Sequence, residues 1–114
     1  MNSKLWIPAL AAVMAASPAL AESGLASIYA MPGDRHAWSR TANGERVDPN
    51  ALTAAHKTIS FNTRVTVVNQ RTGAQVVVRI NDRGPFVKGR VFDLTPAAAA
   101  KLGFRDGLIP VSVH

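Results

Sequence analysis

Apolar and polar residues alternate with a period of two along several short stretches of this chain, the pattern of half-buried strands. The clearest case is the run 75–80 (QVVVRI), in which Val76, Val78 and Ile80 alternate with Val77 and Arg79. Arg64–Asn69 (RVTVVN) reads the same way. The residues between them, 70–74, contain Gly73 and have hairpin length, so the two runs are expected to pair antiparallel. Shorter candidates are 22–30 (ESGLASIYA), 89–94 (GRVFDL) and 108–113 (LIPVSV), the last with Pro110 favouring an edge position.

Helical patterning is scarce. Thr95-Pro96 supplies an N-cap and a first-turn proline, 97–102 is apolar and Gly103 is a stop, so one short structural helix is expected there. A second brief helical segment is expected over 51–56, capped by Asn50 and ending at His56. Short strands without regular helix–strand alternation point to a small β-barrel carrying one or two short helices.

The N-terminus changes the accounting. Lys4, the apolar run 5–16 and the small residues Ala19-Leu20-Ala21 read as a secretory signal cut before Glu22. The mature domain is then 22–114, enough for one core. It holds twelve basic and seven acidic residues, a charge of +5 within the chain's formal +6. That balance suits an anionic polymer or surface. Export and the lack of any recognition motif argue against nucleic acid. There is no cysteine, so the domain must be held by its core alone, and no lipid attachment site is expected at the signal junction. An exported, periplasmic or secreted protein without a stable membrane anchor is the expectation.

Candidate chemistry gathers where the clearest strand breaks, at Asn81-Asp82-Arg83-Gly84-Pro85. Gly84 can adopt a backbone angle other residues avoid and Pro85 has no N–H, so a carboxylate and a guanidinium sit where a buried strand becomes a loop. They either tie the loop together or do chemistry. Glu45 follows the Asn43-Gly44 turn signal and is placed at a loop tip. His56 ends a small apolar segment, as a satisfied core residue or as a catalyst. Trp38 lies in an irregular loop, as a sugar platform or as a cover for the core. Asp93, two residues before the Thr95 cap, reads as a structural partner for loop amides. Three histidines with no cysteine give no zinc site, and no nucleophile elbow or phosphate-cradling loop is present, so no metal or cofactor is expected.

Four motifs resemble the rare lipoprotein A family of septal lytic transglycosylases: TANGE at 41–45, LTAAH at 52–56, VVVRINDRGPFVKGR at 76–90 and DLTPAAAAKLG at 93–103. The resemblance implies a six-stranded double-psi β-barrel, an architecture also found in expansins. It implies endolytic cleavage of the β-1,4 bond between N-acetylmuramic acid and N-acetylglucosamine in peptide-free glycan strands. The muramic 6-hydroxyl attacks its own anomeric carbon and leaves a 1,6-anhydro end. Asp82 is the implied acid and base, with Glu45 as the like-charge neighbour that raises its pKa and His56 as the group that orients a carboxylate. Arg83 caps carbonyls or pairs with Asp93. Arg83, Trp38, Tyr29, Thr41, Asn43 and Phe86 are the expected substrate-binding positions.

Peptidoglycan strands and the amidases that strip them at the division septum are the implied partners, with the enzyme acting as a monomer. Ile28 and Ala30 depart from the family's pattern, which has an aromatic and a glycine there; Trp38 is the substitute for that sugar-facing ring. The competing reading is a non-catalytic, expansin-like glycan-binding module. A third, hydrolysis by an inverting pair, needs a second carboxylate about 6.5–9.5 Å from Asp82.

Overall fold

The computed structural model describes residues 22–114 apart from Pro32, Arg35 and His36. The signal segment, and Pro32 of the turn at 32–34, lie outside the described residues. Six strands and one helix follow in the order β1 (Glu22–Ile28), β2 (Thr53–Ala55), β3 (Arg64–Asn69), β4 (Gln75–Asp82), β5 (Arg90–Leu94), α1 (Pro96–Leu102) and β6 (Ile109–Val113). The strands close into a barrel in the order β1-β5-β2-β4-β3-β6. Two pairs are parallel, β1 with β5 and β2 with β4, and the other four are antiparallel. This is a small double-psi β-barrel.

The period-two pattern fixes which side chains enter the barrel. Val76, Val78 and Ile80 are buried while Val77 stays exposed, as the alternation predicts. Ala26, Val67, Phe92, Leu94 and Val111 join them from the other strands. Gly24 permits the tight approach of β1 to β5, since a Cβ there would lie 2.6 Å from the Val91 Cγ1. Helix α1 packs against β4 and β5 through Ala98, Ala99 and Leu102. The Thr95 hydroxyl accepts from the Ala98 N–H and donates to the Ala51 carbonyl, so one side chain caps the helix and ties it to the chain before β2.

Three expectations need correction. The segment 51–56 is no helix: Thr53, Ala54 and Ala55 form a buried strand between β4 and β5. A six-residue helix has little stability of its own, and the small side chains fit where barrel closure needs a strand. Asp48 makes the preceding turn, its Oδ1 accepting from the Asn50 N–H. Strand β4 also runs two residues beyond Ile80, so Asp82 is its last residue rather than part of the loop. Finally, Pro110 does not mark a sheet edge, because β6 is paired with both β1 and β3; it sits where β3 has ended, its carbonyl accepting from the Gln70 N–H.

Candidate active site

Asp82 ends β4 beside β2, opposite Ala55 across a register shift in the parallel pair. Its Oδ1 accepts from two backbone amides, Arg83 N at 2.8 Å and Ala42 N at 2.9 Å. Its Oδ2 meets no partner among the described residues. The carboxylate is therefore held through one oxygen and unpaired at the other. It lines a cavity of about 200 Å³ with Tyr29, Ser39, Arg40, Val47 and Asp93.

The loop that grips Asp82 is built by the TANGE stretch. Thr41 and Asn43 share a side-chain hydrogen bond, and Asn43 Oδ1 also accepts from the Glu45 N–H at 3.2 Å. The tip is closed by hydrogen bonds from Gly44 N to the Thr41 carbonyl and from Thr41 N to the Glu45 carbonyl. Thr41 and Asn43 thus shape the turn that aims the Ala42 amide. Glu45 points inward, where Arg79 takes both its oxygens in a fork of 2.8 and 3.0 Å and Asn81 Nδ2 adds a third donor. The Arg79 fork and then Asn81 hold the Glu45 carboxyl down at about 2, and the Arg79 guanidinium is correspondingly shifted up. Glu45 makes no hydrogen bond to Asp82.

His56 faces the opposite side. Its Nδ1 accepts from the Thr58 and Ile59 amides, which leaves the proton on Nε2, 2.8 Å from the Glu22 carboxylate. The ring is buried against Phe92, with centroids 5.1 Å apart. Only the His56 backbone reaches Asp82, its N–H donating to the Asp82 carbonyl. Arg83 turns away from the carboxylate: its guanidinium caps the His56, Ile59 and Asp82 carbonyls and stacks 4.0 Å over Phe61. Of the two roles expected for Arg83, carbonyl capping is the one found. Trp38 is 53 % exposed, so it does not cover the core, and Phe86 is 80 % exposed in the loop after Asp82.

Tyr29 carries the main polar surprise. Its hydroxyl is buried without a hydrogen-bond partner, as is that of Thr53. Burial, followed by the negative charge of Asp82, pushes the Tyr29 phenol up to about 12; the Thr53 hydroxyl, near it but outside hydrogen-bond geometry, pulls the other way, and Asp93 and Glu45 add to the rise. It remains a neutral donor at the cavity wall. Asp93 accepts from the Ser27 hydroxyl rather than from loop amides, and so stands in the same cavity as Asp82. Sequence reasoning missed Arg79, Asn81 and the placement of Asp93. The only signal for Arg79 was a charged residue on an otherwise apolar strand. Ile28, one of the two departures, packs on the core and lines a different pocket from Asp82. Ala30 adopts φ +61°, where a glycine is free of strain. Among the described residues, no group of three or more metal-ligating side chains is present.

The site is thus a polar cavity of a double-psi barrel lined by two carboxylates, Asp82 and Asp93. A family model for lytic transglycolases matches residues 21–113, and the chain belongs to that family. It is 52 % identical over 102 residues to the probable endolytic peptidoglycan transglycosylase RlpA of Nostoc sp., covering 89 % of this chain and 27 % of the relative. The endolytic peptidoglycan transglycosylase RlpA of Neisseria meningitidis is 49 % identical over 73 % of this chain and 34 % of its own length. That of Campylobacter jejuni is 41 % identical over the full chain and 39 % of its own length. The chain thus spans about a quarter to two fifths of these relatives. An expansin of Clavibacter michiganensis shares the fold, with a TM-score of 0.62 at 21 % identity over 83 % of this chain and 50 % of the expansin.

Proposed function

We propose that this protein is an endolytic lytic transglycosylase of peptidoglycan, exported and acting as a monomer on strands that amidases have stripped of peptides. The observation that carries the reading is Asp82, which lines the cleft, held by two amides through Oδ1 and with Oδ2 unpaired. Family membership and the names of the relatives support it.

The nucleophile belongs to the substrate, so one carboxyl group suffices. Protonated at Oδ2, Asp82 gives its proton to the glycosidic oxygen as the bond to the muramic anomeric carbon breaks. The freed N-acetylglucosamine end departs as its 4-hydroxyl. Asp82, now a carboxylate, takes the proton of the muramic 6-hydroxyl as that oxygen bonds to the anomeric carbon. Water is not consumed and Asp82 returns to its starting form. Glu45 and His56 act as positioning residues: the Arg79–Glu45 fork sets the loop whose Ala42 amide holds Asp82, and His56 fixes the turn at 56–59 beneath it. Tyr29 donates to a sugar oxygen entering the cleft, and Trp38 and Phe86 offer exposed ring faces to the strand.

Mass spectrometry of peptide-free strands incubated with the protein and with Asp82→Asn tests this. Anhydro-muramic ends from the wild type alone are expected. Asp93 in the same cavity favours one second reading, hydrolysis with Asp93 activating water, and reducing ends would establish it. Retention of strands without cleavage would leave a glycan-binding module.

A further inference from the structure

A second pocket lies on the other side of the β1 end. It has a volume of about 320 Å³ and is walled by Ile28, Met31 and Leu108, with Arg90, Arg105 and Asp106 at its polar side. Among the described residues neither arginine has an ion pair within 4 Å, and Asp106 pairs with neither. Two guanidinium groups against one carboxylate leave the pocket net positive, and with its apolar wall it suits a carboxylate with a small hydrocarbon group beside it. The pocket and the cleft flank the same stretch of chain. Ile28 lines it and Tyr29, the next residue, lines the Asp82 cavity. Ser27 lines it too, and its hydroxyl reaches across to Asp93 in that cavity.

We infer that Arg90 and Arg105 form a subsite for the free lactyl carboxylate of a muramic residue in a strand lying through the Asp82 cleft. The inference rests on the glycan-cleaving reading above and adds to it the residues that sense whether a peptide is attached. A lactyl group offers a methyl to Ile28, Met31 and Leu108 and a carboxylate to the two arginines. With a stem peptide attached, that carboxylate becomes a neutral amide extended by a chain. The subsite then loses its charge partner and must accommodate the peptide.

The test uses the full protein carrying Asp82→Asn, so that strands are bound and not cut. Binding is measured to peptide-free strands, to the same strands with their lactyl carboxylates converted to methylamides, and to strands retaining stem peptides. The free carboxylate is expected to bind about tenfold more tightly than the methylamide, the scale of one charge-assisted contact. Adding Arg90→Gln and Arg105→Gln should shrink that ratio to within about twofold. Arg105→Gln alone, at an exposed position, should reduce it partway and guards against misfolding of the double variant.

A ratio unaltered by the arginine variants overturns the subsite. So does equal binding of peptide-bearing strands whose only carboxylates are on the peptide, which makes the peptide the source of the anion. Failure of the wild type to form anhydro ends, with the ratio still falling in the variants, removes the enzyme reading and leaves the subsite standing.

Discussion

The barrel contains two parallel strand pairs that end alike and are used differently. In β2–β4 the second strand ends at Asp82, with Pro85 three residues on; in β1–β5 Asp93 stands one residue before the strand end, with Pro96 three residues on. Each pair carries a register shift near its aspartate or earlier along the strand. The exits differ. After Asp93, Thr95 caps α1, which lays Ala98, Ala99 and Leu102 over the core. After Asp82, Gly84 at φ +117° turns the chain into a loop with Phe86 exposed. Asp93 takes a hydroxyl from the neighbouring strand through its Oδ1, whereas Asp82 takes amides from two loops through its Oδ1. Equivalent positions in a strand pair are thus held in two ways, by a hydroxyl of the next strand or by loop amides, and the exit decides which.

Exchanging each carboxylate for an amide is the strongest way to break that comparison. Asp82→Asn should lower anhydro-end formation by about 10²–10⁴-fold, the contribution expected of a general acid. Asp93→Asn should lower it by about tenfold or less, while costing about 1 kcal/mol in thermal unfolding as the Ser27 bond weakens. Comparable rate losses from both would mean that the two aspartates work as a pair.

Glu45→Gln probes the grip on Asp82 from further away. With the fork weakened, stability should fall by about 1 kcal/mol or less, since both partners are partly exposed. Because the folded carboxyl sits near 2 against an ordinary value of 4.5, its contribution is complete above about pH 4.5 and fades as pH falls toward 2. The wild type should therefore lose stability on acidification relative to Glu45→Gln, as followed by thermal melts from pH 6 to 2. Equal acid sensitivity would remove the fork from the account.

The smallest effect is expected from Tyr29→Phe. Removing an unpartnered buried hydroxyl should leave stability unchanged or raise it by about 1 kcal/mol. The phenol near 12 keeps its proton in the folded state while the unfolded tyrosine loses it near 10, so wild-type stability should drop between pH 10 and 12. That Tyr29-dependent drop should be absent from the phenylalanine variant's melts.

Local pattern made much of this legible. The hairpin of β3 and β4, the buried face of Val76, Val78 and Ile80, and the capped helix α1 depend on neighbours in sequence, and each was readable there. The strand at Thr53–Ala55 was hidden, because its small residues favour a helix until two barrel strands close around them. In the site, the place of Asp82 was readable from the strand break, but its partners were not. Arg79 meets Glu45 across 34 residues and Ser27 meets Asp93 across 66, contacts that exist only once the strands cross. The same distance in sequence, 34 residues, separates the His56 ring from Glu22, the partner it turns to instead of Asp82.

Closure of the barrel leaves each of the six strands with a neighbour on both sides. Among the described strands no edge is left bare for a second molecule to zip onto, the usual route by which exposed sheet edges aggregate. The barrel wall therefore offers a partner loops and side chains, so its sociability can be rewritten at the surface without disturbing the hydrogen-bonded strands.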